Sequence, residues 1–308
     1  MIDILLATYN GCEYIDTQIS SIVNQNYKDW KLYIHDDGSS DTTVEKVIQW
    51  CERDSRIVFL NDGITFHNPA NHFMHLMNFS KAEYICFSDQ DDLWLENKLQ
   101  RMVECFGISD KQPRLLVSGC YLWKTPSNEI VPKVNFNPAY SLEQFLFLNG
   151  GLQGCAMMFN SSLREIVLTQ KTKYLYMHDY LISLAGFTFG KVEYLNENLF
   201  LYRQHEKNVS VHLEKNKVEY AKRVIKNNAV PVIYAPAFNT SKSFYDSCNN
   251  SIPDDRKKIF EDYFALKNKS YVKRIFILLF SKFSLGKNGK LKLLIKAMLR
   301  SFWRNDYE

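Results

Sequence analysis

The segment Tyr84-Ile85-Cys86-Phe87-Ser88-Asp89-Gln90-Asp91-Asp92 joins a short apolar run to three carboxylates within four residues. The apolar part has the length and composition of a buried β-strand, and the acids follow its carboxyl end. Like charges this close need a countercharge or a raised pKa. A divalent cation such as Mg²⁺ or Mn²⁺, shared with phosphate oxygens, supplies that countercharge. Helix capping by Asp92 is the alternative, and it explains one acid only.

Two earlier predicted strands also end in polar clusters. Residues 2–7 lead into Thr8-Tyr9-Asn10, with Glu13 one turn later, and residues 31–35 lead into Asp36-Asp37-Gly38-Ser39-Ser40-Asp41. In open α/β sheets, ligands bind where strands end and helices begin. A capping box at Asn10 and Glu13, and a simple turn at Asp37-Gly38, remain alternatives for these two clusters.

Strand-like runs alternate with amphipathic helical stripes up to about residue 210, a pattern that predicts a mostly parallel α/β sheet. Beyond that point the strand signals fade and the chain is predicted to be helical. A length of 308 residues suits about two units. We expect an α/β domain over residues 1–212 and a helical, basic, amphipathic region over residues 213–308.

Several classes of protein are excluded by what the sequence lacks. Neither GxGxxG nor GxxxxGK[ST] occurs, which argues against a Rossmann dinucleotide enzyme or a P-loop NTPase. The seven cysteines form no CxxC pair, so neither a disulfide framework nor a zinc site is predicted and a reducing cytoplasm is the expected setting. No signal peptide is recognised, and no segment reaches the ~20 apolar residues of a spanning helix.

The three polar clusters together resemble the family 2 glycosyltransferases of the GT-A fold. The matching motifs are Leu6-Ala7-Thr8-Tyr9-Asn10-Gly11 with Glu13, Asp36-Asp37-Gly38-Ser39-Ser40-Asp41, and Ser88-Asp89-Gln90-Asp91-Asp92-Leu93-Trp94. Downstream segments resemble the rhamnosyltransferases of bacterial polysaccharide assembly: Gly151-Leu152-Gln153-Gly154-Cys155, His178-Asp179-Tyr180, and Tyr202-Arg203-Gln204-His205-Glu206-Lys207-Asn208. The resemblance implies a GT-A fold, with a Rossmann-like, mostly parallel sheet and a C-terminal helical extension.

The resemblance also implies an inverting transfer from a nucleotide sugar that depends on Mn²⁺ or Mg²⁺. The residues that it assigns to nucleotide binding are Thr8, Tyr9, Glu13, Asp36, Asp37 and Asp89. In these roles Tyr9 is available to stack on the base, Asp37 bonds the base with help from Asp36, and Glu13 contacts the ribose. Asp89 and Asp91 form the family's DxD motif, with Asp91 touching the metal.

The remaining roles lie further along the chain. The resemblance implies that Asp179 is the catalytic base, although helix capping is its alternative role on sequence alone. It places His205 near the metal and diphosphate, with Arg203 and Asn208 supporting the diphosphate. The residues expected beside the acceptor are Gly154, Cys155, His178 and Trp94.

The expected reaction moves L-rhamnose from dTDP-rhamnose onto a lipid-linked saccharide in cell-surface polysaccharide biosynthesis. One alternative is the same chemistry with a UDP-hexose donor, galactose or glucose. Another is a non-catalytic, membrane-bound glycan-binding subunit. Retention of both Asp91 and Asp179 argues against this second alternative, because binding alone needs no base.

The basic C-terminal segment predicts a further property. Residues 256–304 contain 14 Lys or Arg against two acids, whereas the whole chain carries a net charge of only +4. Two apolar helical faces are predicted: Val272, Ile275, Phe276, Leu279 and Phe283, and Leu291, Leu294, Ile295, Met298, Leu299 and Phe302. We favour in-plane attachment to an anionic membrane surface, at the inner face of the cell membrane. Packing on the catalytic body is an open alternative, and no nucleic-acid reading motif is recognised.

Overall fold

The computed structural model describes residues 1–107, 111–125, 127–131, 138–148, 152–205, 231–286 and 289–304. Within these ranges the strands are β1 (Ile2–Thr8), β2 (Trp30–Asp36), β3 (Ile57–Leu60), β4 (Tyr84–Ser88), β5 (Leu93–Trp94), β6 (Arg114–Lys124), β7 (Glu129–Val131), β8 (Met157–Asn160), β9 (Lys191–Gln204), β10 (Ile233–Tyr234) and β11 (Trp303–Arg304). The helices are α1 (Ile15–Val23), α2 (Thr43–Arg53), α3 (Pro69–Met77), α4 (Lys98–Phe106), α5 (Leu142–Phe145), α6 (Ser161–Thr169), α7 (His178–Phe189), α8 (Ala235–Cys248), α9 (Asp254–Ala265), α10 (Tyr271–Phe280) and α11 (Lys290–Leu299).

The main sheet has the strand order β3-β2-β1-β4-β8-β6-β9-β5, with β7 paired to β6. The first four strands are parallel, and β8 runs antiparallel to both β4 and β6. The register pairs Thr8 with Asp36 and Leu6 with Ser88. The carboxyl ends of β1, β2 and β4 therefore lie side by side, and the three polar clusters meet at one edge of the sheet.

The central strands are buried on both faces, as their continuous apolar sequences predict. Ile4 and Leu5 of β1 and Ile85 of β4 are fully inaccessible to solvent. Helix α1 covers one face of the sheet with Ile15 and Ile19, which lie four residues apart on one side of the helix. This core holds the polar strand ends in fixed positions.

The sheet differs from the sequence-based expectation in detail. Two predicted strands, residues 114–117 and 120–124, are one strand, β6, whose pairing with β9 is irregular around Gly119. The short pair β10–β11 is parallel and lies in the region predicted to be helical. It joins the segment before α8 to the segment after α11.

The C-terminal helices pack against the sheet-bearing part of the chain. The ring of Phe147 lies 5.4 Å from that of Tyr263 and 5.1 Å from that of Phe283. The hydroxyls of Tyr180 and Ser241 are 2.8 Å apart. The expected boundary at residues 212 and 213 lies outside the described residues, so the division into two domains stays a prediction. Within the described ranges, every helix is too short or too polar to span a bilayer.

Candidate active site

A cavity of about 700 Å³ opens at the carboxyl ends of β1, β2 and β4. Its other walls come from the turn at Gly154–Ala156, the first turn of α7 and the end of β9. The structure brings together in this lining ten residues that the sequence assigned to the site: Thr8, Tyr9, Asp37, Asp89, Asp91, Gly154, Cys155, His178, Asp179 and His205. Side chains from segments far apart in the chain thus share one cavity.

Four other predicted site residues are not part of this lining: Glu13, Asp36, Trp94 and Arg203. Glu13 is exposed to solvent, and Trp94 is buried, with 2% of its surface accessible. Asn208 lies outside the described residues. The ribose role of Glu13, the acceptor role of Trp94 and the diphosphate role of Asn208 stay predictions.

Asp36 organises the loop after β2. Its Oδ1 accepts hydrogen bonds from the backbone N–H groups of Gly38 and Ser39, at 3.0 and 2.7 Å. Its Oδ2 accepts the hydroxyl of Thr8 at 2.7 Å. Gly38 has φ +85°, a conformation that glycine adopts without strain. The turn that the sequence suggested is therefore present, and it positions Asp37 at the cavity wall, where it accepts a hydrogen bond from the backbone of Phe66.

Gln90 fastens the loop after β4 to the loop after β1. The backbone N–H of Tyr9 donates to Gln90 Oε1 at 2.9 Å, and Gln90 Nε2 donates to the Tyr9 carbonyl at 3.0 Å. The Tyr9 side chain is 52% exposed beside the cavity. An exposed aromatic ring on a fixed backbone is suited to stacking against a flat ligand such as a nucleobase.

Asp91 and His205 form a pair on the cavity wall. His205 Nε2 lies 2.7 Å from Asp91 Oδ2, and the imidazole stacks on the ring of Tyr14 with centroids 4.8 Å apart. All three residues line the cavity. The resemblance implied that Asp91 and His205 both lie near the metal, and the structure brings them together although they are 114 positions apart in the chain.

Asp92 is more buried than Asp89 and Asp91, which are both half-buried. Burial, followed by the charge of Asp91, raises the pKa of the Asp89 and Asp92 carboxyls. Donor atoms of Asp89, Asp92 and Cys155 lie within 4.8 Å of one another. Asp92 is fully buried, and its Oδ2 accepts a hydrogen bond from none of the described residues. A nearby positive charge would stabilise the ionised form of these buried carboxyls.

Two cationic side chains stand behind the acids. Lys98 is completely buried, and its Nζ donates to the Cys155 carbonyl at 2.6 Å. Arg203 Nε donates to the Asp91 carbonyl at 2.7 Å, and its guanidinium lies 3.8 Å from the ring centre of Trp123. Arg203 thus holds the backbone of the acidic loop, which places it one layer behind the cavity.

Asp179 lines the cavity from the first turn of α7. Helix α7 begins at His178, after Met177, so Asp179 is inside the helix and its Oδ1 accepts the N–H of Tyr180 at 2.6 Å. Burial is the main cause that raises the pKa of Asp179 to about 7, and the charge of Asp89 adds to it. A carboxylate with this pKa is matched to accept a proton near neutral pH.

His178 and Gly154 shape the wall beside Asp179. The His178 ring stacks on Phe73 at 4.1 Å, and burial lowers the pKa of this imidazole to about 3. Neither ring nitrogen has a hydrogen-bond partner among the described residues. A Cβ on Gly154 would come within 2.9 Å of His178 Nε2, so only glycine permits this approach.

Sequence reasoning missed several residues of the lining, among them Tyr14, Gln90, Gln153, His67, Asn68 and His72. Gln90 stood inside the acidic motif, between two residues that were assigned roles. Asn68 and Pro69 carried a usable signal, because an N-capping Asn followed by Pro at the first helical position marks a helix start. That helix, α3, brings His72 and Phe73 to the cavity.

Comparisons with known proteins agree with this architecture. Residues 3–167 match the family model described as Glycosyl transferase family 2. The dTDP-rhamnosyl transferase RfbG of Shigella flexneri is 26% identical over 216 residues, covering 66% of this chain and 72% of that protein. The UDP-Glc:alpha-D-GlcNAc-diphosphoundecaprenol beta-1,3-glucosyltransferase WfgD of Escherichia coli is 33% identical over 103 residues, covering 33% of this chain and 40% of that protein.

Solved structures show the fold. S. aureus TarS 1–349 in complex with UDP-GlcNAc superposes with a TM-score of 0.57 at 13% identity, covering 90% of this chain and 79% of that one. Mannosyltransferase PcManGT from Pyrobaculum calidifontis, in complex with GDP-Man and Mn²⁺, superposes with a TM-score of 0.51 at 12% identity, covering 99% of this chain and 88% of that one. These likenesses confirm the predicted GT-A fold.

Proposed function

Because the chain belongs to glycosyl transferase family 2, we propose that it moves a sugar from a nucleoside diphosphate sugar to a hydroxyl acceptor with inversion. The observation that carries the proposal is the shared cavity. The Asp91–His205 pair and Asp179, whose pKa is about 7, all line it. A glycosidase would instead need a paired acid and base flanking the scissile bond.

In the proposed step, the acceptor oxygen bonds to the anomeric carbon as the bond from that carbon to the diphosphate oxygen breaks. The acceptor proton passes to Asp179, which must be ionised to receive it. Asp37 and the exposed ring of Tyr9, which line the same cavity, bind the nucleobase. His178 offers a buried imidazole nitrogen to a sugar hydroxyl beside the base.

The residues present fit a divalent cation. Asp89 and Asp91 supply carboxylate oxygens, which Mn²⁺ and Mg²⁺ prefer, and His205 adds an imidazole nitrogen that suits Mn²⁺ better. Burial raises the pKa of Cys155 well above its usual range, so this thiol stays protonated and is a poor ligand for a hard cation. When bound, such a cation neutralises the charge that develops on the leaving diphosphate.

We propose dTDP-rhamnose as the donor. The support is the likeness to the dTDP-rhamnosyl transferase RfbG, which extends over two thirds of this chain. A UDP-hexose is the second candidate, because WfgD, whose name gives a UDP-Glc donor, is more identical over a shorter stretch.

We propose a lipid-linked saccharide as the acceptor, with the reaction at the inner face of the cell membrane. The name of WfgD gives a diphosphoundecaprenol acceptor for that relative. An enzyme with such an acceptor has to work at a bilayer surface.

A panel of nucleotide sugars tests the proposal. The protein is incubated with a lipid-linked saccharide acceptor and with dTDP-rhamnose, UDP-glucose or UDP-galactose, in the presence of Mn²⁺, Mg²⁺ or EDTA, and the released nucleoside diphosphate is measured. We expect release from one donor, dependent on the cation and lost in Asp91→Asn. Release that continues unchanged in EDTA, or no release from any donor under any condition, would contradict the proposed chemistry.

A further inference from the structure

Helices α10 and α11 expose a large apolar surface, which we call the C-terminal apolar face. Its members are 46–76% exposed: Tyr271, Val272, Phe276, Leu279, Phe280, Leu291, Ile295, Met298 and Leu299. Single exposed apolar residues are ordinary on any protein, but nine on two neighbouring helices form a patch, and large patches mark interaction sites.

This face is separate from the side that packs on the protein. Leu278 of α10 and Leu293 and Ala297 of α11 are fully buried, so both helices are already seated on the core. Most members of the two predicted apolar stripes nevertheless remain in solvent. The alternative that these stripes serve only to pack the helices on the body does not account for the exposed part.

The positive charge around the C-terminal apolar face indicates an anionic partner. Residues 263–304 contain eleven Lys or Arg and no Asp or Glu. Lys273 precedes Phe276 by one helical turn, and Lys292 precedes Ile295 by one turn, so exposed cations adjoin exposed apolar side chains. Two copies of this chain joined through the face would bring like charges together, which opposes self-association.

We propose that the C-terminal apolar face is a docking surface for an anionic lipid bilayer, with α10 and α11 lying in the plane of the interface. Each helix has ten residues and is therefore about 15 Å long, half the ~30 Å hydrocarbon thickness. Apolar side chains enter the interface while lysines meet the headgroups. The inference deepens the proposed function, because a lipid-linked acceptor is presented at such a surface.

Vesicle sedimentation tests the apolar part of the surface. The protein is mixed with phosphatidylglycerol–phosphatidylcholine vesicles or with pure phosphatidylcholine vesicles. We expect the triple variant Phe276→Gln, Phe280→Gln and Leu299→Gln to bind anionic vesicles at least about tenfold more weakly than the wild type. The matched control replaces three exposed apolar residues elsewhere, Ile48→Gln, Ile130→Gln and Tyr174→Gln, and should bind like the wild type.

A second triple variant tests the charge. Each basic side chain near an anionic surface strengthens binding by roughly fivefold. Replacing the exposed Lys273, Lys282 and Lys292 by Gln should therefore weaken binding to anionic vesicles by about 10²-fold. The same change at three exposed lysines of the body, Lys28, Lys81 and Lys171, should have little effect.

The proposed membrane-docking surface can be contradicted by three results. Equal sedimentation of the wild type and the apolar triple variant, or equal binding to anionic and neutral vesicles, would overturn the proposal. So would a wild type that is a stable dimer by sedimentation velocity when the apolar triple variant is a monomer. Vesicle binding is measured in the absence of nucleotide sugar, and turnover of the nucleotide sugar is measured in the absence of vesicles. Failure of the docking surface is thereby distinguished from failure of the proposed transferase activity.

Discussion

Asp179 combines three properties that a general base requires. It lines a cavity, it shares that cavity with the Asp91–His205 pair, and its pKa is about 7. Sequence alone left helix capping as an alternative. The structure puts the residue inside α7, and burial is the main cause that raises its pKa.

The pH dependence of turnover follows from this pKa. Below about pH 7 the carboxyl is protonated and cannot accept the acceptor's proton, so kcat/KM should fall tenfold per pH unit as the pH decreases. Above that value the base is ionised and the rate should level off. The measurement is a pH–rate profile at saturating Mn²⁺. A rate that stays constant from about pH 5.5 to 8.5 would remove Asp179 from the proton transfer.

His205 should contribute to cation affinity. In His205→Gln we expect Mn²⁺ to bind at least about tenfold more weakly, because an imidazole beside Asp91 is lost. Titration calorimetry with Mn²⁺ and a nucleoside diphosphate measures the change. Tyr174→Gln is the control, since Tyr174 is exposed and is not part of the cavity lining. Equal affinity of His205→Gln and the wild type would assign His205 a purely structural role.

The sequence predicted which residues belong to the site better than it predicted which way their side chains point. The resemblance to family 2 glycosyltransferases assigned Asp91, Asp179 and His205 to one site, whereas local pattern alone indicated only that Asp91 follows the end of a strand. That Asp36 bonds its own loop, whereas Asp37 faces the cavity, could not be read from two adjacent aspartates. The difference depends on the turn at Gly38, whose positive φ sets which carboxylate points back into the loop.

Among the elements, helix α4 contains the buried Lys98, whose side chain donates a hydrogen bond to the turn at Gly154–Ala156. Lys98→Met should lower the free energy of unfolding by about 2–4 kcal/mol, because the Cys155 carbonyl loses its partner and Asp92 loses a nearby positive charge. Urea denaturation measures this change. Lys191→Met, which removes an exposed ion pair with Glu193, should alter stability by less than about 0.5 kcal/mol. Similar stabilities for both variants would contradict the role given to Lys98.

Strand and helix identities followed from local patterns, but strand direction did not. β1 and β4 were predictable since both faces are buried and the sequences are continuously apolar. The antiparallel insertion of β8 between β4 and β6 depends on how distant segments pair, and a four-residue apolar strand does not encode its direction. The two-residue strands β10 and β11 give too little pattern to detect.

For the whole molecule, the main determinant of the site is the alignment of strand ends. Because β1, β2 and β4 are parallel neighbours, their polar continuations converge, and Gln90 then fixes two of the loops together. The sequence indicated this convergence through the order of its motifs. Membership of glycosyl transferase family 2 and the GT-A fold agree with it.

The account rests on the claim that Asp179 acts in the chemical step and not in donor binding. The direct measurement compares wild type with Asp179→Asn, using calorimetry for donor affinity with Mn²⁺ and released nucleoside diphosphate for turnover. We predict donor affinity within about threefold of the wild type and turnover reduced by at least about 10²-fold. Turnover within about tenfold of the wild type, with the variant folded and donor bound, would contradict the account.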